Sequence, residues 1–233
     1  MPLPTIVTPK YPITIPSSKK KTTYRPFLMK EQKILYSAIE SENQQQIFNA
    51  MCIIIRECVE GIENPETLPV FDLEYIFLRI RAKSVGEIID VNTICPKCDA
   101  KNKIQVNLET IEVEFPENHS NKIMFTDKIG VMMKYPQFDD SLKNIADLNG
   151  DGMLDYICAA IDVVFDDSMT YTRKDFTTQE LKDFVESLNT TQFEQIADFY
   201  RKRPQLTKHM VCNCSSCKQD YNLDFRGMND FFI

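Results

Sequence analysis

Residues 95–98 read Cys-Pro-Lys-Cys, and residues 214–217 read Cys-Ser-Ser-Cys. Each pair is followed by residues that alternate between apolar and polar, over 104–108 and 221–225, which is the period of a β-strand. Zinc favours four thiolates in a tetrahedron, with Zn–S distances of about 2.3 Å, and a CxxC turn supplies two of them on one tight loop. The pattern therefore predicts half a zinc ribbon at each pair, and together the two halves complete one structural Zn²⁺ site.

The predicted zinc ligands are unusually far apart in the chain. They are Cys95, Cys98, Cys214 and Cys217. Between Cys98 and Cys214 lie 115 residues, whereas compact zinc ribbons have roughly 15 to 20. Everything between the two pairs is then an insertion in the ribbon. Cys212 stands at CxC spacing from Cys214 and is an alternative fourth ligand.

Other uses of the paired cysteines are less well supported by their context. A redox CxxC nucleophile normally opens a helix, but both pairs are bordered by strand-like sequence. A structural disulfide is disfavoured in a reducing cytoplasm. A site that holds no metal stays open as an alternative. The helical apolar faces that carry Cys52, Cys58 and Cys158 predict that these thiols are buried.

Composition and charge describe an ordinary globular protein. The 233 residues are 43% hydrophobic and 26% charged, with only 6 Gly. Residues 1–30 carry six basic and no acidic side chains, and the remaining 21 basic and 34 acidic residues give a net charge of −13. Because nucleic-acid affinity depends on cations that neutralise phosphates, only the N-terminal segment could bind nucleic acid.

The sequence shows neither a membrane-spanning segment nor a signal peptide. Apolar runs such as 51–55 are far shorter than the roughly 20 residues of a membrane-spanning helix. Prolines at positions 2, 4, 9 and 12 interrupt any signal-peptide core. We expect no membrane association and a cytoplasmic location.

Residues 1–26 are predicted to form an extended, basic, Pro-rich arm, because six of the twelve prolines lie there and proline disfavours helix. The apolar side chains of the arm have no local core. They are Leu3, Ile6, Tyr11, Ile13 and Ile15. We therefore expect the arm to be poorly ordered until it docks on a partner.

The rest of the chain predicts an α+β protein. Residues 27–86 form a helical region, with helices from Met29, over 46–59 and over 72–83. Residues 87–115 and 205–226 form the zinc-ribbon-like element, residues 116–204 an inserted hairpin and helices, and residues 227–233 an apolar C-terminal tail. The expected architecture is helical layers around a small antiparallel zinc-ribbon-like sheet, with a long insertion between its two knuckles.

The insertion itself carries local signals. Segments 122–125 and 131–134 predict a hairpin, and helices resume from about Asp140. Two later helices are predicted to begin with capping boxes, in which a Thr precedes a Glu by three residues. These pairs are Thr177 with Glu180 and Thr191 with Glu194.

Residues 147–155 resemble a calcium-binding EF-hand loop in part. Aspartate, asparagine and glycine occupy the expected early positions, but the twelfth position is Cys158. An EF-hand requires a bidentate Glu there, and a thiol does not replace that hard oxygen ligand. The sequence predicts a turn followed by a helix, without calcium.

The sequence selects no catalytic residues. It contains two histidines, His119 and His209, and it has no Gly-rich phosphate loop, HExxH or GxSxG motif. The 34 acidic residues offer many carboxylate pairs, and nothing in the pattern selects one. We expect a protein that is not an enzyme and has no small-molecule substrate.

Three motifs resemble the baseplate hub family of T-even-like contractile-tailed bacteriophages. The first is Pro-Phe-Leu-Met-Lys-Glu at 26–31, leading into a helix. The second spans 71–87, with Phe-Asp-Leu-Glu-Tyr-Ile-Phe at its start and Arg-Ala-Lys-Ser-Val-Gly-Glu at its end. The third is the closing cysteine pair at 214–217, ahead of Gly227 and the Phe-Phe pair at 231–232. The resemblance extends along nearly the whole chain.

The resemblance implies a non-enzymatic viral protein, made in the cytoplasm of the infected bacterium, that takes part in assembly of the central hub of the tail baseplate. Its implied partners are other hub proteins or further copies of itself. Whether it stays in the baseplate of the virion or acts only during assembly is left open at this point. The alternative from the residues is a zinc-ribbon nucleic-acid-binding adaptor that uses the basic N-terminal arm. A cryptic hydrolase is a third hypothesis.

Overall fold

A computed structural model describes residues 6–117, 119–137 and 151–231. The chain divides into two compact units. The first unit combines Met1–Glu114 with Gln205–Ile233, and the second unit is Phe115–Pro204. Both contain helices and small antiparallel sheets, so the protein is α+β, as the sequence predicts.

The elements are numbered in chain order. The helices are α1 (Met29–Glu40), α2 (Gln44–Cys58), α3 (Val70–Val85), α4 (Asp151–Ala160), α5 (Thr178–Glu186) and α6 (Thr190–Arg201). The strands are β1 (Tyr11–Thr14), β2 (Lys21–Tyr24), β3 (Ile88–Ile94), β4 (Lys101–Asn107), β5 (Glu112–Glu114), β6 (Lys122–Met124), β7 (Gly130–Met133), β8 (Ile161–Phe165), β9 (Thr170–Thr172), β10 (Gln205–Asn213) and β11 (Asp220–Arg226).

The first three helices lie close to their predicted positions. The side chain of Asn43 caps α2 by accepting a hydrogen bond from the N–H of Gln46 at 3.1 Å. Gly86, with φ of 137°, ends α3 in a conformation that favours glycine. In α2 and α3, apolar residues at helical spacing are buried, including Ile54, Ile55 and Ile76.

The N-terminal segment differs from the predicted arm. Strands β1 and β2 pair as an antiparallel hairpin, and Ile13, Ile15 and Tyr24 are buried within the first unit. The expectation that the apolar side chains of this segment stay without a core until the arm docks on a partner is therefore wrong for Ile13 and Ile15. Their host is distant in sequence, because Tyr24 bridges to Val59 just after α2. Ile6 and Val7, by contrast, are more than nine-tenths exposed.

The two cysteine pairs lie at the tips of antiparallel hairpins. Strands β3 and β4 form a two-stranded sheet, and β10 pairs with both β11 and β5 in a three-stranded sheet. The predicted single sheet is thus two sheets. They share a core under α3, in which Leu78 packs with Val106, Leu206 and Phe225.

The second unit contains the predicted hairpin of β6 and β7, extended by two strands that the sequence analysis does not predict. Strands β8 and β9 complete a four-stranded antiparallel sheet in the order β6-β7-β8-β9. β8 follows α4 without an intervening loop, which hides its boundary in the sequence. The sheet packs on α4, α5 and α6 around Val131, Ile161, Leu181 and Ile196.

One of the two predicted capping boxes is correct. Thr177 accepts a hydrogen bond from the N–H of Glu180 and starts α5. The box predicted at Thr191 and Glu194 is wrong, because Asn189 caps α6 and pairs with Gln192 instead. Asn is at least as good an N-cap as Thr, and its position places Thr191 inside the first turn.

The calcium-like sequence begins outside the described residues, since 138–150, and with them its first four positions, are not described. The predicted resumption of helix near Asp140 also falls there. α4 begins at Asp151 and buries Cys158, which stands at the twelfth position of that sequence. Among the residues that the structure describes, no helix combines the length and apolar character needed to cross a membrane.

Candidate metal centre

The two cysteine pairs adopt the same local turn. In the first, the N–H of Cys95 donates to Ala100 O at 2.9 Å, and the N–H of Asp99 donates back to Cys95 O at 2.9 Å. In the second, Cys214 bonds to Gln219 O at 3.0 Å, and Lys218 bonds back to Cys214 O at 3.0 Å. Asp99 and Lys218 are both left-handed, with φ of 57° and 60°. Each hairpin thus presents its two sulfurs from a tight knuckle-like turn.

The four sulfurs meet although the pairs are distant in sequence. Their Sγ atoms all lie within 4.8 Å of one another. Cys95 and Cys217 are 3.9 Å apart, and Cys98 and Cys214 are 3.6 Å apart. A tetrahedron with Zn–S bonds of about 2.3 Å separates its sulfurs by about 3.8 Å. The residues present therefore fit a four-thiolate metal ion.

The same distances argue against disulfide bonds. A disulfide requires an S–S distance of about 2.05 Å, and all eight cysteines are free. Cys95 and Cys214 are fully buried, while Cys98 is exposed and Cys217 is intermediate. A metal held here would lie at the edge of the first unit, with one side of its ligand shell near solvent.

Asn102 joins the two turns independently of any metal. Its Oδ1 accepts hydrogen bonds from the N–H of Ser215 at 2.8 Å and from the Ser215 hydroxyl at 2.9 Å. Its Nδ2 donates to Ala100 O at 3.0 Å and lies 3.6 Å from the sulfur of Cys214. The residue is buried. Sequence reasoning does not identify Asn102, because an Asn four residues after a cysteine carries no recognised spacing signal.

Thr93 and Tyr221 form a second side-chain contact between the two hairpins, next to the cysteine turns. The hydroxyl groups of Thr93 and Tyr221 are 3.0 Å apart, which connects β3 to β11. Tyr221 packs with the buried sulfurs in a small cluster that also contains Cys212. The two hairpins are therefore held together by side chains as well as by the position of their sulfurs.

The electrostatics of the thiols differ between the two turns. The N–H groups of Cys217 and Ser216 donate to Cys214 and lower its pKa to about 6. At Cys98 the N–H of Ala100 lowers the pKa, but desolvation and the neighbouring thiols raise it, to about 12. The arrangement thus favours a thiolate at Cys214, the deprotonated form that binds metal.

The remaining cysteines lie elsewhere. Cys212 is buried in β10 opposite Tyr221 and lies outside the group of four sulfurs. Cys52, Cys58 and Cys158 are buried in helices, as predicted, and burial raises the pKa of Cys52 and of Cys58 to about 11. These thiols are packing groups.

The basic residues near the N-terminus contact acidic groups of the same unit. Lys10 pairs with Glu60, and Arg25 Nη2 donates to Glu31 at 2.9 Å. Lys30 lies 3.3 Å from Glu31. Ion pairing within the unit reduces the positive charge that this segment offers to a phosphate backbone.

The two histidines lie in different surroundings and do not form a shared site. His209, on β10, is exposed between Asp224 at 2.6 Å and Glu114 at 3.4 Å, and these carboxylates raise its pKa. His119 is in the second unit, stacked on the rings of Tyr135 and Phe199.

Comparison with known proteins identifies the family of this chain. A model of the T4 bacteriophage base plate protein family matches residues 8–233. The chain belongs to this family. The baseplate hub assembly protein gp26 of Enterobacteria phage T4 is 22% identical to the chain over 225 residues, which cover 96% of this chain and 98% of the relative. The resemblance to the baseplate hub family, which the sequence motifs indicate, is thus confirmed. No solved structure matches the chain.

Proposed function

We propose that this base plate protein acts in assembly of the central baseplate hub through protein–protein contacts and is not an enzyme. One observation carries the proposal: the chain aligns from end to end with a baseplate hub assembly protein, with coverage of 96% and 98% of the two chains. An alignment of that extent includes both units and both cysteine pairs. The proposed partners are other hub proteins, met in the cytoplasm of the infected bacterium and in the tail baseplate.

The proposal includes a structural Zn²⁺ bound by Cys95, Cys98, Cys214 and Cys217. The sulfur separations of 3.6 and 3.9 Å support it, because they match the edges of a zinc–thiolate tetrahedron. Four protein ligands leave no open position for substrate, so the ion would supply stability rather than catalysis. In this role it would join two hairpins from distant parts of the chain.

The alternative, a nucleic-acid adaptor that uses the N-terminal segment, has less support. Lys10 and Arg25 pair with acidic residues of the same unit, and Lys20 Nζ donates to Gly61 O at 3.2 Å. The segment is also folded as a hairpin rather than free. Titration of the purified protein with duplex DNA at 50 and 200 mM salt separates the two functions, since an adaptor would bind with a steep salt dependence.

Complementation tests the assembly function. A phage from which this gene is deleted should produce incomplete baseplates, and the chain supplied from a plasmid should restore complete tails. The measurement is the count of tails with complete and with incomplete baseplates by electron microscopy, together with co-purification of hub proteins with the tagged chain. Complete infectious tails in the absence of the gene would contradict the proposal.

A further inference from the structure

The four-cysteine cluster brings thiols of one hairpin into contact with thiols of the other. The sulfurs of Cys98 and Cys214 are 3.6 Å apart, and those of Cys95 and Cys217 are 3.9 Å apart. In each of these contacts, one cysteine lies between β3 and β4 and the other between β10 and β11. A disulfide has an S–S distance of about 2.05 Å. A short movement of the two sulfurs would therefore bring either pair to bonding distance.

Each of these two pairs combines a buried sulfur with a more accessible one. Cys95 and Cys214 are fully buried, whereas Cys98 is exposed and Cys217 is intermediate. Oxidation of a cysteine depends on access of the oxidant to its sulfur, and a second thiol nearby then completes a disulfide. An oxidant can thus reach one member of each pair, and the buried member is in place to complete the bond.

Contacts that need no metal hold the two hairpins side by side. Ser215 donates from its N–H and its hydroxyl to Oδ1 of the buried Asn102, at 2.8 and 2.9 Å. The hydroxyl groups of Thr93 and Tyr221 are 3.0 Å apart. Because these contacts lie beside the cysteine turns, we expect the sulfurs to stay close together when the site holds no metal.

The position of these pairs in the chain gives such bonds a consequence. A disulfide within one CxxC turn would leave the two hairpins unlinked. A bond from Cys98 to Cys214 would instead join segments with 115 residues between them. Crosslinks that close long loops remove more conformational freedom from the unfolded chain than crosslinks that close short ones. Bonds between the hairpins would therefore hold the first unit together in the absence of zinc.

We propose that the cysteine cluster is an oxidation-sensitive crosslink site, at which peroxide converts the metal-free thiols into two disulfides between the hairpins. The bonds join Cys98 to Cys214 and Cys95 to Cys217. For each disulfide, two S–H bonds and the O–O bond of hydrogen peroxide break, one S–S bond forms, and two water molecules are released. The sulfurs are oxidised and the peroxide is reduced. The proposal goes beyond the assembly function and does not depend on it.

Disulfide mapping in the full-length protein tests the pairing. Zinc is first measured in the reduced, purified chain, so that the zinc site is judged separately. The chain is then treated with EDTA and hydrogen peroxide, and the remaining thiols are blocked with N-ethylmaleimide. Trypsin separates Cys95 from Cys98 by cleavage after Lys97, and tandem mass spectrometry of the non-reduced peptides assigns the bonds.

The main products should be the two disulfides between the hairpins, whether or not the purified chain contains zinc. Disulfides within the CxxC turns as the main products would overturn the proposal. So would a cluster whose four thiols all remain reduced or are oxidised without forming a disulfide.

Cys98→Ser provides the matched comparison, because it leaves three cysteines in the cluster. Pairing between the hairpins predicts a bond from Cys95 to Cys217 in this variant, whereas pairing within the turns predicts a bond from Cys214 to Cys217. Cys212→Ser, outside the group of four sulfurs, should leave the wild-type pairing unchanged. A bond from Cys214 to Cys217 as the main product of Cys98→Ser would overturn the proposal.

Urea unfolding measures the effect of the bonds on the fold. The metal-free, oxidised chain should unfold at a higher urea concentration than the metal-free, reduced chain, because the crosslinks restrict the unfolded state. Dithiothreitol should remove the difference. Equal midpoints of the oxidised and reduced chains would overturn the proposal that oxidation joins the hairpins.

Discussion

Two buried carboxylates explain much of the local order in the first unit. Glu31 accepts hydrogen bonds from Arg25 Nη2 at 2.9 Å and from the N–H of Leu28 at 2.7 Å. Asp72 accepts from the N–H of Ser17 at 3.0 Å and from the Ser17 hydroxyl. Both acids lie in the motifs through which the chain resembles its family. The sequence predicts the helices that carry them, but their partners depend on tertiary packing.

Asn102 offers a test at the scale of one residue. Asn102→Ala removes the buried side chain that accepts hydrogen bonds from the N–H and the hydroxyl of Ser215. At about 0.5–1.5 kcal/mol for each of these two bonds, we expect it to lower the free energy of unfolding by about 1–3 kcal/mol. Urea denaturation at a fixed zinc concentration measures this loss. Asn92→Ala, at an exposed position of the same hairpin, is the control and should change stability by less than about 0.5 kcal/mol. Equal effects of the two variants would refute the role of Asn102.

The buried His119 is expected to make the second unit less stable in acid. Burial lowers its pKa, and its Nε2 has no hydrogen-bond partner among the described residues. Because the unfolded chain binds the proton more tightly, this contribution to stability is present above the unfolded pKa of about 6.5 and is lost as the pH falls through the lower folded pKa. His119→Phe keeps the ring stacking and should remove this loss.

The second histidine supplies the control for that experiment. The carboxylates beside His209 raise its pKa, so its contribution is present below about pH 6.5 and is lost as the pH rises through the folded pKa. Thermal unfolding between pH 5 and 8 should therefore show opposite trends when His119→Phe and His209→Asn are each compared with the wild-type protein. The same trend in both variants would be inconsistent with this assignment.

At the scale of elements, the N-terminal hairpin is part of the first unit. Ile13 and Ile15 are buried at 6% and 3% exposure, whereas Ile6 and Val7 are 94% and 91% exposed. The proline pattern correctly predicts that this segment is not helical. It does not reveal the host of the apolar side chains, because α3 and the end of α2 are far away in sequence.

A deletion and a double substitution distinguish a structural hairpin from a free arm. Removal of residues 1–24 should destabilise the protein strongly, because truncation of even one buried Ile to Ala costs about 2–5 kcal/mol. Replacement of the exposed Ile6 and Val7 by Ser should leave the melting temperature nearly unchanged. Thermal unfolding of both purified proteins is the measurement. A 1–24 deletion as stable as the full chain would restore the interpretation of a partner-seeking arm.

At the scale of elements, helices were also more predictable than sheets. The apolar period of α2 and α3 places both within two residues of their observed starts. β8 and β9 escape prediction because β8 follows α4 directly and β9 has three residues. The capping signal at α6 is ambiguous in sequence, since Asn189 and Thr191 both precede a suitable partner by three residues.

At the scale of the whole molecule, the CxxC spacing identifies four cysteines whose sulfurs the fold brings within 4.8 Å. That part of the candidate site is predictable because a CxxC turn has a fixed local geometry. The contacts of Asn102 and Tyr221 are not predictable, since they arise from the meeting of two hairpins with 115 residues between them. The assignment of the function rests on the alignment along the whole chain rather than on any one residue.

The proposed zinc ion joins these two hairpins through four cysteines. Elemental analysis of freshly purified, fully reduced protein tests for it. We expect about one zinc per chain in the wild type and in Cys212→Ser, and less than half in Cys98→Ser. Zinc-free wild-type protein, or loss of zinc on replacing Cys212 but not Cys98, would rule out this four-cysteine site.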